Sequence, residues 1–250
     1  MSNTMTNGAQ ALLQTMLNAG VNTCFSNPGT SEMHFVAALD DAPDMRAVLT
    51  LFEGVATGAA DGYARMKGKP AATLLHLGVG LGNGLANLHN ARKARVPVLN
   101  IVGDHATNHI QYDSLLQSDI EMLASNVSPW VRTSKSTADL SRDALEAIEK
   151  ASTAPASVAT LILPADVSWG EGALAATPKQ KPSPSSASDD TIADIAFVLR
   201  QQRSCAILLG GKALSANALA VAASIAGATG AKLFAEAFPA RMAGGGGLPN

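Results

Sequence analysis

The chain has 250 residues, which is enough for one complete domain and part of another. Hydrophobic residues make up 47% and charged residues 15%, so a disordered chain is excluded and large buried sheets are expected. Lysine and arginine number 18 against 20 acidic residues and form no basic stripe, so we expect no nucleic-acid partner.

The hydrophobic pattern then alternates between strand-like and helix-like segments. A first helix is predicted over residues 9–17 and ends before Gly20. The expected strands cover residues 21–25, 47–52, 72–77, 97–102, 130–133 and 158–163, and further helices follow Glu53 and cover 83–92, 115–124 and 138–151. This alternation predicts an α/β fold, a parallel sheet with helices on both faces. Near-continuous apolar strands are typical of such a doubly covered sheet.

The composition changes after residue 172, where alanine, proline, serine and lysine dominate. We therefore predict a first domain over residues 1–172, a linker over 173–190 and the start of a second α/β domain over 191–250. The expected elements of the second domain are helices 192–200 and 216–228 and strands 205–209 and 231–235. Two strands and two helices are too few to close a core, so we expect a partial domain that continues beyond Asn250.

Two cysteines, Cys24 and Cys205, lie far apart in apolar strand-like segments. We expect both to be buried free thiols in a reducing compartment rather than a disulfide or metal pair. Residues 1–10 have no basic region and no apolar core, which predicts that no secretory signal is present. The uncharged segment 213–231 is too polar for a membrane span. The sequence therefore predicts a cytoplasmic protein with no membrane partner.

Glu53 is a lone acid between an apolar strand-like segment and a helix-like segment of small residues. Leu51, Phe52 and Val55 flank it, and desolvation by these neighbours would favour the protonated carboxyl. The start of the following helix would favour the carboxylate instead. A group balanced in this way suits proton transfer. The alternative from the residues alone is that Glu53 only caps the start of a helix.

The stretch around Glu53 resembles the pyrimidine-binding domain of thiamine-diphosphate enzymes, in the group of acetolactate synthase large subunits and benzoylformate decarboxylases. Glu53, with the segment Ala60 to Arg65 after it, matches the family motif, and the resemblance covers residues 5–170 well. It implies that Glu53 hydrogen-bonds the aminopyrimidine ring of thiamine diphosphate and activates the cofactor. The implied substrate is a 2-oxo acid.

The turn Asn27-Pro28-Gly29 follows a predicted strand and could be a plain connection. It resembles the first turn of the family, where backbone atoms approach the pyrimidine and a hydroxyl residue faces the substrate. The decarboxylase branch has serine at the next position, and Thr30 keeps the hydroxyl here. The resemblance thus assigns the three turn residues to cofactor binding and Thr30 to the substrate carboxylate.

The glycine-rich segment 78–84 is predicted to be a loop between a strand and a helix. No Gly-Lys-Ser/Thr follows, so a P-loop is excluded, while a dinucleotide site remains an alternative. The segment lies in the third βα unit rather than the first, which disfavours that alternative. In the thiamine family this segment contacts the aminopyrimidine from its other side, which implies that Gly80 and Asn83 bind the cofactor.

His76 ends a predicted strand directly before the glycine-rich segment. A histidine there could be structural. Its match to the decarboxylase branch implies that it moves protons on the substrate. Leu115 and Leu116 resemble a leucine pair that lines the substrate pocket in that branch, although they could also be core residues of a helix. Asp104 replaces a glutamine of acetolactate synthases, so its role is open.

The diphosphate motif of the family, Gly-Asp-Gly with paired asparagines that hold Mg²⁺, has no match here. We therefore expect no metal ligand in this chain, Mg²⁺ on a missing C-terminal domain, and FAD as an undetermined possibility. The predicted function is that of the N-terminal part of an enzyme that cleaves or forms a C–C bond on a 2-oxo acid, inactive as this chain alone. The resemblance implies a homodimer or homotetramer with active sites at the subunit interface. A subunit of a split decarboxylase and a non-catalytic binding or regulatory fragment are the alternatives.

Overall fold

The computed structural model describes residues 6–179, 186–201 and 204–248, and it divides into two compact units, residues 1–178 and 179–250. The strands of the first unit are β1 (Thr6–Asn7), β2 (Thr23–Asn27), β3 (Arg46–Leu49), β4 (Ala71–Leu75), β5 (Val98–Asp104), β6 (Trp130–Thr133), β7 (Val158–Pro164) and β8 (Glu171–Ala173). Its helices are α1 (Gly8–Asn18), α2 (Met33–Ala38), α3 (Glu53–Lys67), α4 (Leu77–Lys93), α5 (Ile120–Ser125), α6 (Thr137–Ser152) and α7 (Ala165–Trp169).

Six parallel strands form the central sheet of the first unit, in the order β3-β2-β4-β5-β7-β6. The predicted parallel α/β sheet is therefore confirmed. One group of helices, α1, α2, α6 and α7, packs together, and a second group, α3, α4 and α5, also packs together. Strands β4, β5 and β7 are buried along their whole length, as a sheet covered on both faces requires.

A chain of hydrogen bonds between buried polar side chains crosses three central strands. Thr73 Oγ1 of β4 donates to Asn100 Oδ1 of β5 over 2.7 Å, and Asn100 Nδ2 donates to Thr160 Oγ1 of β7 over 3.0 Å. All three side chains are fully buried. Buried polar groups are costly unless they are paired, so this chain of bonds favours the observed strand register over a shifted one.

Several predicted boundaries are wrong. The strand expected over residues 47–52 ends at Leu49, and the helix expected over 115–124 begins only at Ile120. The glycine-rich segment 78–84 is not a loop, because α4 begins at Leu77 and includes it. Glycine disfavours a helix by about 1 kcal/mol per residue, but here close packing against α3 overrides that preference.

The end of the first unit lies further along the chain than residue 172. Ala173 pairs with Thr6 in the short antiparallel ladder of β1 and β8, and the backbone N–H of Ala176 donates to Thr15 Oγ1 over 3.0 Å. Residues 173–176, which the sequence assigned to a linker, are thus bonded to the first unit. Residues 180–185 of that expected linker lie outside the described residues.

The second unit contains helices α8 (Asp189–Gln201) and α9 (Ala216–Thr229) and strands β9 (Ala206–Leu209) and β10 (Lys232–Ala235). The two strands pair in parallel. Cys24 in β2 is a buried free thiol as expected, whereas Cys205 is only partly buried, which corrects its predicted burial. Across the described ranges of both units, no helix has the length and apolar character needed to cross a membrane.

Candidate functional site

The predicted site residues cluster at the carboxyl edge of the central sheet. The chain passes from β2 to β3 on one side and then returns to β4 on the other side of β2, so the strand order reverses between β2 and β4. Open α/β sheets bind ligands at such a reversal, where the two connections diverge and leave a crevice. Gly29 and Thr30 follow β2, and His76 follows β4, so the topology alone directs attention to this edge.

Glu53 is the first residue of α3, and its side chain is held by the neighbouring helix α4. Asn83 Nδ2 donates to Glu53 Oε2 over 3.0 Å. A Cβ atom at Gly80 would lie 3.3 Å from Glu53 Oε1, so α4 approaches the carboxylate closely. The residue is only 9% exposed. The structure therefore brings together Glu53, Gly80 and Asn83, three of the residues expected to bind the cofactor.

The cause of this burial differs from the expected one. Leu51, Phe52 and Val55 were expected to desolvate Glu53, but they are 92%, 50% and 55% exposed. Gly80 and Asn83 of α4 lie against the carboxylate instead. Tertiary packing, and not the residues next to Glu53 in sequence, decides which neighbours shield the acid.

His76 directly precedes α4 and contacts an acid that the sequence analysis did not single out. His76 Nδ1 lies 2.8 Å from Glu32 Oε2, and the same oxygen accepts the backbone N–H of Gly29 over 2.7 Å. Glu32 is fully buried, and this burial raises the pKa of its carboxyl, while the Gly29 N–H and the charge of His76 act to lower it. Glu32 is the last residue of the segment Asn27 to Glu32, which the sequence indicated only as a turn after a strand.

The backbone after His76 adopts a conformation that is rare for its residue type. Leu77 has φ 55°, in the left-handed region, although it is a buried leucine and not a glycine. Such conformations cost roughly 1–3 kcal/mol and concentrate at functional sites. At Leu77 the chain changes direction from β4 to α4, directly after His76.

The turn after β2 lies beside His76. A Cβ atom at Gly29 would come within 2.4 Å of the His76 ring, so only glycine fits against the imidazole. Asn27 ends β2 and is partly exposed together with Pro28, and Thr30 is exposed at the start of a short 3-10 turn. The expected role of Thr30 in substrate binding therefore stays a prediction.

Leu115 and Leu116 lie in a turn before α5 and not on a helix. They are 87% and 41% exposed, so the alternative that they are core residues of a helix is wrong. Leu116 also has φ 72°, and it is one of four non-glycine residues with positive φ among the described residues. Two exposed leucines in a strained turn remain candidates for contacts with a ligand or another subunit.

Asp104 ends β5 and is 8% exposed. Burial raises the pKa of its carboxyl, against the lowering effect of the His105 backbone N–H, which donates to Asp104 Oδ1 over 2.7 Å. A buried acid at the carboxyl edge of the sheet is typical of a functional site. No contact in the described residues joins it to Glu53 or His76.

Comparison with known proteins identifies the first unit. Residues 6–125 match the family model described as thiamine pyrophosphate enzyme, N-terminal TPP binding domain. The chain carries the N-terminal domain of a thiamine pyrophosphate enzyme. Strands β2 to β5 of the sheet, the glutamate at the start of α3 and the glycine-rich helix α4 lie within the matched residues.

Among curated relatives, a Mycobacterium tuberculosis protein provisionally named acetolactate synthase large subunit IlvX is 56% identical over 97% of the chain and 47% of its own length. The benzoylformate decarboxylase of Pseudomonas aeruginosa is 30% identical over 83% of the chain and 40% of its own length. The solved 4-hydroxybenzoylformate decarboxylase of Rhodococcus jostii matches with a TM-score of 0.81 and 25% identity over 94% of the chain and 45% of its own. The chain spans about half the length of the curated relatives it matches.

Proposed function

We propose that the chain supplies the pyrimidine-binding part of the active site in an enzyme that cleaves or forms a C–C bond on a 2-oxo acid. The observation that carries this proposal is the carboxylate of Glu53 at the start of α3. One of its oxygens, Oε2, is bound by Asn83, while no hydrogen bond to Oε1 is found among the described residues. The second oxygen is therefore free to pair with a ring nitrogen of a ligand.

The residues present fit the aminopyrimidine of thiamine diphosphate. Glu53 offers an acceptor in a largely dry position, and the small residue Gly80 leaves room beside it. When bound, thiamine diphosphate supplies the carbon nucleophile and the electron sink that 2-oxo acid chemistry requires. Glu53 would hold the proton that the ring nitrogen shares, and Asn83 would orient the carboxylate for that contact.

His76 and Thr30 are proposed to act on the substrate. The imidazole of His76 has one nitrogen engaged by Glu32, so its other nitrogen is available to give or take a proton. Thr30 is exposed in the turn after β2, and its hydroxyl would orient the substrate carboxylate. A histidine that handles protons favours decarboxylation to an aldehyde over ligation of two 2-oxo acids.

We also propose that the complete enzyme binds its cofactor between subunits. Leu51, Phe52 and Val55 are exposed apolar side chains directly beside the buried Glu53. Apolar surface next to a site is typical of a protein interface. The family resemblance places the diphosphate and Mg²⁺ on a separate domain, and a second subunit would bring that domain to this surface. FAD stays an undetermined possibility.

The test is Glu53→Gln in the complete protein, with Glu149→Gln on the exposed side of α6 as the matched control. Glutamine keeps the shape of Glu53 but cannot exchange a proton with the ring nitrogen. We expect turnover of benzoylformate and pyruvate to fall at least about 100-fold, which is the usual contribution of a positioned acid or base. Thiamine diphosphate binding, followed by calorimetry, should weaken as well. Unchanged activity and affinity in Glu53→Gln would refute the proposal.

A further inference from the structure

Glu32 is a buried carboxylate with an uneven set of partners. Its Oε2 receives two contacts, from the Gly29 N–H at 2.7 Å and from His76 Nδ1 at 2.8 Å. Its Oε1 is buried and has no hydrogen-bond partner among the described residues. Unpaired buried oxygens are rare in proteins, which suggests that this arrangement has a function.

Two glycines make the space that this arrangement needs. A Cβ atom at Gly103 would lie 1.6 Å from Glu32 Oε1, and one at Gly29 would lie 2.4 Å from His76 Nδ1. Gly103 belongs to the buried strand β5, and Gly29 belongs to the turn after β2. The backbone of β5 therefore packs against the carboxylate, and the backbone of the turn after β2 packs against the imidazole.

The pattern of contacts limits where protons can lie. The Gly29 N–H can only donate, so Oε2 must accept from it. A proton on Oε1 would have no acceptor, because that oxygen is buried and unpaired. The proton shared by the pair therefore lies on the line between Glu32 Oε2 and His76 Nδ1, and it leaves Nε2 as the ring nitrogen available to a ligand.

We infer that Glu32 is a positioning residue for His76: it holds Nδ1, keeps Nε2 free for substrate, and balances the charge when Nε2 takes up a proton. This inference rests on the proposed function, since it deepens the role of His76. Before proton uptake the pair carries one negative charge, with the proton on Nδ1. After uptake at Nε2 the pair is neutral overall, as an ion pair or with the shared proton moved to Oε2.

One other acid, Asp104, is the chain neighbour of Gly103, whose backbone lies against Glu32. The carboxylate of Asp104 accepts the backbone N–H of His105. The charge that acts on Glu32 is that of His76. Glu32 is fully buried and His76 is partly exposed, so a proton from a ligand can reach the imidazole and not the carboxylate.

The experiment compares Glu32→Leu and Glu32→Gln in the complete protein. Leucine has a similar size but no acceptor for His76 Nδ1. Glutamine keeps an acceptor oxygen but cannot carry the negative charge. Histidines labelled with ¹⁵N report by NMR which ring nitrogen is protonated, and the spectrum of His76→Gln assigns the signal of His76 among the five histidines of the chain. The tautomer is measured without added cofactor.

We expect His76 to be protonated at Nδ1 in the wild type and in Glu32→Gln, and to lose that preference in Glu32→Leu. The value of kcat/KM should fall about tenfold in Glu32→Gln and about 100-fold in Glu32→Leu, mainly through kcat. Glu149→Leu, an exposed change on α6, should alter neither measurement. A merely structural Glu32 would lower stability in both variants but leave the tautomer of the folded protein unchanged.

An unchanged tautomer in folded Glu32→Leu would overturn the inference. If that variant does not fold, Glu32→Asp provides the same test, because it withdraws the carboxylate by one methylene while keeping the charge. A retained preference for Nδ1 in Glu32→Asp, with unchanged kcat/KM, would equally overturn it. Failure of the proposed function would be seen separately, as full activity in Glu53→Gln, since the tautomer does not depend on Glu53.

Discussion

Gly103→Ala places a methyl group where the carboxyl of Glu32 now lies. The added Cβ would be 1.6 Å from Oε1, 2.5 Å from Cδ and 2.9 Å from Cγ of Glu32. Because carbon and oxygen rarely approach closer than about 3 Å, the carboxyl must move by about 1.5 Å. The backbone cannot give way easily, since β5 is paired in the middle of the sheet.

This displacement breaks the contacts of Oε2 with Gly29 and His76, which now measure 2.7 and 2.8 Å. Gly29 and His76 are only partly buried, so leaving their two donors without a partner costs about 1 kcal/mol each, the low end of the usual range, and overpacking a core adds about 1–3 kcal/mol. We therefore expect Gly103→Ala to lower the free energy of unfolding by at least about 3 kcal/mol. For a domain of this size, that corresponds to a decrease in Tm of roughly 6–12 °C.

The assay is thermal unfolding of the chain followed by tryptophan fluorescence. Both tryptophans of the chain, Trp130 and Trp169, belong to the first unit, so the signal reports that unit alone. Gly62→Ala is the control, because a Cβ at this helical position meets nothing within 4 Å. It should raise stability by roughly 0.5–1 kcal/mol, as alanine usually does in a helix.

A double variant separates the proposed clash from a general sensitivity of β5. In a Glu32→Ala background the carboxyl is absent, so Gly103→Ala should cost much less than it does in the wild type. A Tm of Gly103→Ala within about 1 °C of the wild type would refute the reasoning. So would an equal cost of Gly103→Ala in both backgrounds.

Three further predictions concern single side chains. Asn83→Asp replaces the amide that now lies 3.0 Å from Glu53 Oε2 with a second carboxylate. The value of kcat should fall at least about 100-fold in Asn83→Asp and by a smaller factor in Asn83→Ser. Equal activity of the two variants would contradict this. Burial raises the pKa of Asp104, so the folded protein binds more protons than the unfolded chain and stability decreases as pH rises above 3.8. In urea unfolding, Asp104→Asn should therefore be more stable than the wild type at pH 8 and should show no such gain at pH 3. An equal gain in stability at both pH values would contradict this prediction. Burial raises the pKa of the Cys24 thiol to about 12. Iodoacetamide should therefore label Cys24 only when the protein unfolds, whereas it should label the partly buried Cys205 in the native protein. Rapid labelling of both cysteines in the native protein would contradict this prediction.

Local patterns in the sequence were sufficient for the fold class and for part of the site. Apolar strands separated by helical segments predicted the parallel sheet, because central strands that are buried on both faces require near-continuous apolar segments. Glu53 was identified from its place between a strand and a helix of small residues, and from its family motif. These features depend on neighbours within a few residues, which a sequence displays directly.

The tertiary structure decided what lies between distant segments. Glu32 and His76 are 44 residues apart, and their contact depends on β2 and β4 being adjacent in the sheet. The start of α4 at Leu77 could not be predicted from its glycines, since helix propensity argues against it and packing on α3 outweighs that preference. The sequence determined the order of strands and helices along the chain. Which strands pair, which oxygen of Glu32 stays unpaired and which leucines face outward follow from long-range packing that no local pattern records.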